Sequence, residues 1–365
     1  MSIPFTQERW ARVKENNRLW RARKLGRPLI QWKLWDADSG PPEPALPPLW
    51  KMSLYDTRYT VDQYLTRLAF EVGHTKYIGD AFPSFWPNFG PGIVAEYLGG
   101  HAAPTIETHT VWFHPGKFEG LQPKDIHLEF SLHSQWLERL LEMCRKGIER
   151  FEGNLQISMT DLGGTLDILA SLRPAESLLT DLYDCPLEIE RLMWEAHDMW
   201  FKYFDLINGA LKGNPGYSSW SDEFSCDPAY MLQCDFCYML SPEMFDRFVL
   251  PELAAACGRL TGGAFFHQDG IGQLPHTKSL HSIPTLAGIQ WQPGSGDHPP
   301  SCGWFDQQRR IRDDGKLSQT WGGPDELEAL ANNIGDVSNI VIIGHGSTKD
   351  EARYREVLRK FNAEE

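Results

Sequence analysis

The chain has 365 residues, 41% of them hydrophobic, so it is long enough to bury a large core. A formal net charge of −14 and the lack of a basic run argue against nucleic acid as a partner. No stretch approaches the roughly 18 uninterrupted apolar residues of a membrane span, and the charged N-terminal segment lacks an apolar signal-peptide core. Seven scattered cysteines do not indicate a disulfide framework. We therefore expect a cytoplasmic protein of enzyme size.

Predicted strands and helices alternate along the chain. A helical segment over 6–24 comes first, and short apolar runs follow, separated in the later part by helical patterns. The eight runs span 28–34, 76–80, 154–161, 217–223, 263–269, 286–291, 317–323 and 339–346. This alternation predicts parallel pairing, and eight units predict a single closed (β/α)₈ TIM barrel over residues 1–365. An open doubly wound sheet is the alternative, but no G-x-G-x-x-G turn follows the first strand.

The runs are unevenly spaced, which predicts long loops. Residues 36–50 are rich in proline, and residues 81–130 are rich in proline, glycine, histidine and aromatic side chains. We predict that 81–130 is an inserted excursion over the C-terminal face of the barrel, with a hairpin near Thr105–His114. Barrel enzymes carry their chemistry on the loops of that face.

Polar or aromatic side chains stand where nearly every predicted strand ends. Because an unpaired buried charge is costly, this set favours a functional site over packing. Taken singly, Asp161 or Asp222 could equally be a helix N-cap. We predict that one cavity is faced by Asp80, Asp161, Asp222, His267, Gln290, Trp321 and His345. The predicted substrate-binding residues are Asp80, Trp86, Glu223, Gln290, Trp291 and Trp321.

Three of these strand-end residues have the character of metal ligands. His267 and Asp269 lie two residues apart on one predicted strand, so their side chains share a face. His345 ends the last strand, which should close against the first. Two histidines and one carboxylate suit Zn²⁺ or Fe²⁺. A metal-free His267–Asp269 pair for proton transfer, or an Asp269 that only caps the following glycine turn, are the alternatives.

Four segments together resemble the uroporphyrinogen decarboxylase superfamily. They are SPEMFDRFVLPEL (241–253), FFHQDGIGQLPH (265–276), GIQWQPG (288–294) and IIGHG (342–346). The resemblance is best over 154–361 and weak before residue 75. Members of this superfamily are (β/α)₈ barrels, and they include corrinoid-dependent methyltransferases as well as the decarboxylases.

The resemblance implies a methyltransferase-like site more than a decarboxylase site. The decarboxylases carry an arginine-rich motif after the first strand, where this chain reads WKLWDADSGPPEP without arginine. The methyltransferases bind zinc through His-x-Cys at one strand end and a cysteine at the last, and the matching positions are His267, Asp269 and His345. Gln290 stands near a further ligand position of the methionine synthase relatives. Asp269 and His345 are harder ligands than the cysteines at the matching positions. A metal held by them suits water, hydroxyl or carboxylate groups better than thiols.

The expected function is metal-assisted methyl, or one-carbon, transfer to a small polar molecule in a tryptophan-lined mouth. His345 belongs to the expected catalytic set, and Asp161 or Asp222 would act as general base. The chain has no D-x-H-x-x-G motif, so cobalamin would arrive on a separate corrinoid protein, and a homodimer would fit the family. The alternatives are a metal-free decarboxylase or lyase, which would use His345 or the His267–Asp269 pair, and a non-catalytic ligand-binding barrel.

Overall fold

The computed structural model describes residues 3–38, 40–108 and 110–364, and over them the architecture is mixed α/β with a mainly parallel central sheet. The strands are β1 (Leu29–Trp35), β2 (Lys76–Gly79), β3 (Ser84–Phe85), β4 (His101–Thr105), β5 (Thr110–His114), β6 (Gln156–Ile157), β7 (Met231–Gln233), β8 (Ala264–Asp269), β9 (Leu286–Gln292), β10 (Leu317–Trp321) and β11 (Ile340–Ser347). The helices are α1 (Gln7–Arg21), α2 (Val61–Gly73), α3 (Ile93–Tyr97), α4 (Gln135–Phe151), α5 (Thr165–Leu172), α6 (Ala175–Asp184), α7 (Pro186–Ala210), α8 (Pro242–Phe248), α9 (Leu250–Arg259), α10 (Thr277–Ser282), α11 (Phe305–Asp313), α12 (Pro324–Ile334) and α13 (Glu351–Lys360). Among these helices, none is long and apolar enough to cross a bilayer.

The central sheet has seven strands in the order β2-β1-β11-β10-β9-β8-β7. Every neighbouring pair is parallel except β1 and β2, which are antiparallel. A separate parallel pair joins β3 to β6, and β4 with β5 forms the antiparallel hairpin predicted near Thr105–His114. Within the described residues, no strand pairing joins the β3–β6 pair to the seven-stranded sheet. The arrangement is compatible with a TIM-like fold, but closure of the barrel is not observed.

Five predicted runs are confirmed as the parallel strands β1, β8, β9, β10 and β11, and the run 154–161 contains the two-residue strand β6. The run 76–80 does form β2, but its direction was wrong, because an apolar run encodes no direction. The chain then reverses, and β3 lies inside the range 81–130 that was predicted as an excursion.

The predicted strand 217–223 is a turn instead. An isolated antiparallel bridge joins Tyr217 to Ser225, and the N–H of Asp222 donates to the carbonyl of Ser219. The small polar residues of SSWSD favour turns over strands because their side chains compete for backbone hydrogen bonds. The strand that pairs with β8 is β7, which lies outside the eight predicted runs.

Alternation along β1 separates an inner from an outer face. Ile30, Trp32 and Leu34 belong to a buried cluster with residues of α12 and α13, so they face the helices. Leu29 belongs to a different cluster, which contains Phe265 of β8 and Trp20 of α1. Helix α1 therefore covers the end of the sheet where the parallel strands begin. The opposite end, where β8 and β11 present His267 and His345, is left for a site.

Several helices begin at side chains that supply the missing hydrogen-bond acceptor. The Ser241 hydroxyl accepts the N–H of Met244, and Pro242 occupies the first position of α8. Thr60 and Gln63 form a capping box at α2, and Ser134 caps α4.

Candidate functional site

Three side chains meet at the ends of the neighbouring strands β7 and β8. His267 and Asp269 project from the same face of β8, and Asp235 follows β7. One ligand atom from each lies within 4.8 Å of the others. His267 Nε2 is 3.9 Å from Asp269 Oδ2, too long for a hydrogen bond and short enough for both atoms to share an ion. Among the described residues, no other group of three such side chains is this close.

Gln290 orients the His267 ring. The two residues are partners across β8 and β9, and His267 Nδ1 lies 2.5 Å from Gln290 Oε1. A carbonyl oxygen can only accept, so Nδ1 carries the proton and the Nε2 lone pair is turned toward the carboxylates. Burial lowers the pKa of His267, although Asp269 opposes the shift, so the ring is neutral near pH 7. An unprotonated imidazole nitrogen that faces carboxylates fits a bound cation.

Asp167 fixes the backbone that carries Asp235. It lies in the first turn of α5, and its carboxylate accepts the backbone N–H groups of Asp235 at 2.9 Å and Phe236 at 2.8 Å. The donor set at this point is therefore one imidazole nitrogen and the two carboxylates of Asp235 and Asp269. These are ligand types that zinc and other divalent ions accept.

The same region concentrates carboxylates whose charge is not compensated. Burial raises the pKa of Asp161 to about 7, and the negative charges of Asp235 and Asp167 add to the rise. Burial and Asp235 likewise raise the pKa of Asp167 to about 7. The Asp235 side chain is exposed at its surface, and partial loss of water together with the charge of Asp269 raises its pKa to about 6. A cation at this point would relieve the mutual repulsion.

The raised pKa of Asp161 predicts a specific pH dependence of stability. Its folded pKa of about 7 exceeds its usual value of 3.8, so its stabilising contribution is complete below the usual value and is lost as the pH rises through about 7. With chelator present, we expect the melting temperature of Asp161→Asn relative to wild type to increase from pH 5 to pH 8. Thermal unfolding across this range measures it, and a pH-independent difference would contradict the shift.

A second polar group lies where Lys33 of β1 meets Asp222. Lys33 Nζ donates to Ser84 Oγ at 2.7 Å and to Asp222 Oδ2 at 2.8 Å, and Ser84 Oγ donates to Asp222 Oδ1 at 2.6 Å. Burial alone would raise the pKa of Asp222, but Lys33 and Ser84 outweigh it and hold that pKa below its usual value. Burial and Lys33 lower the pKa of His345, whose ring stacks on Trp35 with centroids 5.3 Å apart.

His345 is not part of the candidate metal group, which corrects the predicted ligand set. The sheet order places β9 and β10 between β8 and β11. Three strand spacings of roughly 4.8 Å separate His345 from His267 along the sheet, about 14 Å. The last strand, β11, pairs with the first, β1, as predicted. This pairing places His345 beside Lys33 and not beside His267. Asp235 takes the third place instead.

Trp291 faces away from the site, which corrects its predicted substrate-binding role. Gln290 pairs with His267, so its neighbour Trp291 must point to the opposite side of β9. It is fully buried there, and its ring packs against Trp304 at 5.3 Å between centroids. Two adjacent strand residues cannot both face one cavity.

The other predicted site residues lie in several different places. Trp86 lies 6.4 Å from Trp220, ring to ring, and lines a cavity of about 480 Å³ with Tyr55 and Tyr64. Trp321 and His345 line another cavity, of about 690 Å³. Glu223 is buried and accepts a hydrogen bond from Ser221 at 2.5 Å, and burial raises its pKa. The structure does not gather the predicted set around one point.

Asp80 lies at the opposite end of the sheet, which corrects its predicted place at the mouth. Because β2 is antiparallel, its end meets the beginning of β1, where the N–H of Ile30 donates to Asp80 Oδ2 at 3.0 Å. Arg27 donates to both carboxylate oxygens, at 2.6 and 2.9 Å, and Asn16 donates to Oδ1 at 2.7 Å. The carboxylate is a structural link between α1, β1 and β2.

Asp80→Ala is expected to lower the free energy of unfolding by about 3–5 kcal/mol, because it leaves Arg27 without its partner in a buried pair. Urea unfolding followed by circular dichroism measures the loss. Asp269→Ala is the matched control, since Asp269 also ends a predicted strand but is partly exposed, and it should stay within about 1 kcal/mol of wild type. Equal losses in the two variants would contradict this division of roles.

Sequence reasoning missed four polar residues near these centres: Lys33, Ser84, Asp167 and Asp235. For Lys33 a signal existed, because the period-two pattern of LIQWKLW places Gln31, Lys33 and Trp35 on one face. Asp235 comes just after β7, the strand that pairs with β8. Because β7 was not predicted, the position of Asp235 beside His267 could not be predicted either.

Comparisons with known proteins bear on the fold. No protein-family model matches the chain, and no curated protein matches it significantly. A solved methyltransferase from Methanosarcina mazei has a similar structure, with a TM-score of 0.57 and 12% sequence identity. The match covers 90% of this chain and 95% of that one. The two chains thus share an architecture over nearly their whole lengths.

Proposed function

We propose that this protein is a methyltransferase of the uroporphyrinogen decarboxylase-like superfamily, a single domain that acts on a small polar molecule with a divalent cation at Asp235, His267 and Asp269. The observation that carries the proposal is the close approach of His267 to two carboxylates, with one ligand atom from each of the three residues within 4.8 Å of the others. The shared fold with a methyltransferase supports the reaction class. The sequence segments that resemble the superfamily support it independently.

Bound there, a zinc-like ion would act as a Lewis acid on an oxygen or nitrogen of the acceptor. With one nitrogen and two oxygen ligands the site is hard, so it favours hydroxyl, water, amine or carboxylate groups over thiols. Gln290 keeps His267 in the tautomer that leaves Nε2 free. Trp220 packs its ring at right angles to His267, with centroids 5.0 Å apart, and shields that side from water.

Asp161 is the best candidate for the general base. Its pKa of about 7 matches a group that must be unprotonated at neutral pH and still accept a proton. The acceptor loses its proton to Asp161 while its lone pair takes the methyl group, and the donor keeps the electrons of the broken bond. Asp222 is a poorer base, because Lys33 and Ser84 occupy both of its oxygens and hold its pKa low.

The methyl carrier in this proposal is a corrinoid bound to a separate protein. The test uses zinc-loaded protein with cob(I)alamin and a panel of small O-methyl and N-methyl compounds, and it follows methylcobalamin by absorbance. We expect methylcobalamin with at least one donor class, and its loss when a chelator removes the metal. Release of carbon dioxide from a carboxylated panel, with no methylcobalamin from any donor, would favour the decarboxylase alternative and overturn the proposal.

A further inference from the structure

We propose that Lys33 and Ser84 are positioning residues that hold the turn 219–223, so that Trp220 closes one side of His267. The starting observation is the backbone of Asp222, whose φ of +62° lies in the left-handed region. Aspartate adopts this conformation more readily than most non-glycine residues, and at Asp222 the contacts of the carboxylate can hold it.

The side chains that contact the Asp222 carboxylate come from two different strands. Lys33 projects from β1 of the seven-stranded sheet, and Ser84 lies on β3 of the separate pair. Each engages one oxygen of Asp222, at 2.8 and 2.6 Å, and they hydrogen-bond to each other at 2.7 Å. The three side chains are largely buried, so their ion pair is less screened than a surface pair. We call Lys33, Ser84 and Asp222 the clamp.

Trp220 lies two residues from Asp222 and depends on this turn for its place. Its ring meets the edge of His267 and lies near Trp86. Among the described residues its Nε1 is buried and has no hydrogen-bond partner, so no polar contact of its own fixes the ring. The position of Trp220 therefore depends on apolar packing and on the backbone that the clamp helps to hold.

The clamp thus connects β1 to the His267 side of the site. If Lys33 is replaced by methionine, Asp222 loses its charge partner and the turn loses one of the side-chain contacts that hold it, while the hydrogen bond from Gln319 to the carbonyl of Ser221 remains. We expect Trp220 to leave the edge of His267, which removes packing that orients the ring. Loss of support around a metal-binding histidine typically weakens binding 10–100-fold. This part rests on the proposed function, since it requires the cation site.

The experiment separates the clamp from the cation. Protein labelled with 5-fluorotryptophan gives a ¹⁹F resonance for Trp220, assigned by its loss in Trp220→Phe. Lys33→Met should shift or broaden that resonance and weaken Co²⁺ binding about 10–100-fold by calorimetry. Lys146→Met is the control, because Lys146 forms an ion pair with Asp62 at the surface. It should leave both readouts unchanged.

Each outcome is decisive. A folded Lys33→Met protein with an unchanged Trp220 resonance overturns the proposal. If wild type binds no Co²⁺ while Lys33→Met still moves Trp220, the clamp stands and the proposed cation site fails. Should Lys33→Met not fold, Ser84→Ala and Asp222→Asn replace it, since asparagine tolerates a positive φ and both changes remove clamp contacts. An unmoved Trp220 in both of these variants overturns the proposal equally.

Discussion

His267→Ala is expected to reduce the affinity for Zn²⁺ at least about 100-fold and to abolish turnover. Removing an outer-shell partner alone typically costs 10–100-fold, and this change removes the only nitrogen of the donor set. The fold should remain, because the ring lies near the end of a strand. Calorimetric titration with Zn²⁺, beside circular dichroism of the same sample, measures both effects.

His345→Ala is the matched control for that experiment. His345 also ends a parallel strand, but it stacks on Trp35 and lies beside Lys33, about three strand spacings from His267. Zn²⁺ affinity should stay within about threefold of wild type, since no ligand or orienting partner is lost. If His345→Ala weakens binding as strongly as His267→Ala, the originally predicted two-histidine site is correct and the one described here is not.

Asp161→Asn is expected to lower turnover about 10²–10⁴-fold while leaving the bound metal in place, because general-base catalysis contributes a factor of this size. In the assayed direction, protonated Asp161 returns its proton to the atom that loses the methyl group, so the wild-type rate should fall as the pH rises through the pKa of Asp161, which burial raises. In the variant this limb should disappear. Methylcobalamin formation across pH 5.5–9, with metal content measured on the same samples, provides the test.

Asp222→Asn separates the two candidate bases. The pKa of Asp222 lies below its usual value, so its ionisation cannot produce a rate limb near pH 7. Even if the variant is slower because the clamp is weakened, its rate should still fall with rising pH over the same range as the wild-type rate. A limb that survives in Asp161→Asn and vanishes in Asp222→Asn would assign the base to Asp222.

The sequence was most informative where local pattern and position coincide. The runs that became β8 and β9 carry uninterrupted apolar residues, and period two along β8 correctly placed His267 and Asp269 on one face. The same rule, applied to Gln290 and Trp291, would have excluded Trp291 from the cavity. That error came from treating both residues as the end of a strand without assigning their sides.

Direction and long-range pairing were beyond the reach of local pattern. KYIGD (76–80) is apolar enough to be a strand, but only the tertiary structure makes it antiparallel, and this carried Asp80 to the far end of the sheet. YSSWSDE (217–223) contains two aromatics and predicts a strand, but the segment forms a turn. Asp222 adopts a left-handed conformation there, and Lys33 and Ser84 contact its carboxylate from elsewhere in the chain. Contacts between distant segments leave no mark in a single sequence.

The cation site is tested most directly by a crystal structure of protein soaked with Zn²⁺, with anomalous data above and below the zinc edge and metal content measured on the same preparation. We predict one ion per chain, about 2.0–2.2 Å from His267 Nε2 and from carboxylate oxygens of Asp235 and Asp269, with a position open for substrate. Well under one equivalent of metal, or an anomalous peak at His345 with none at His267, would contradict it.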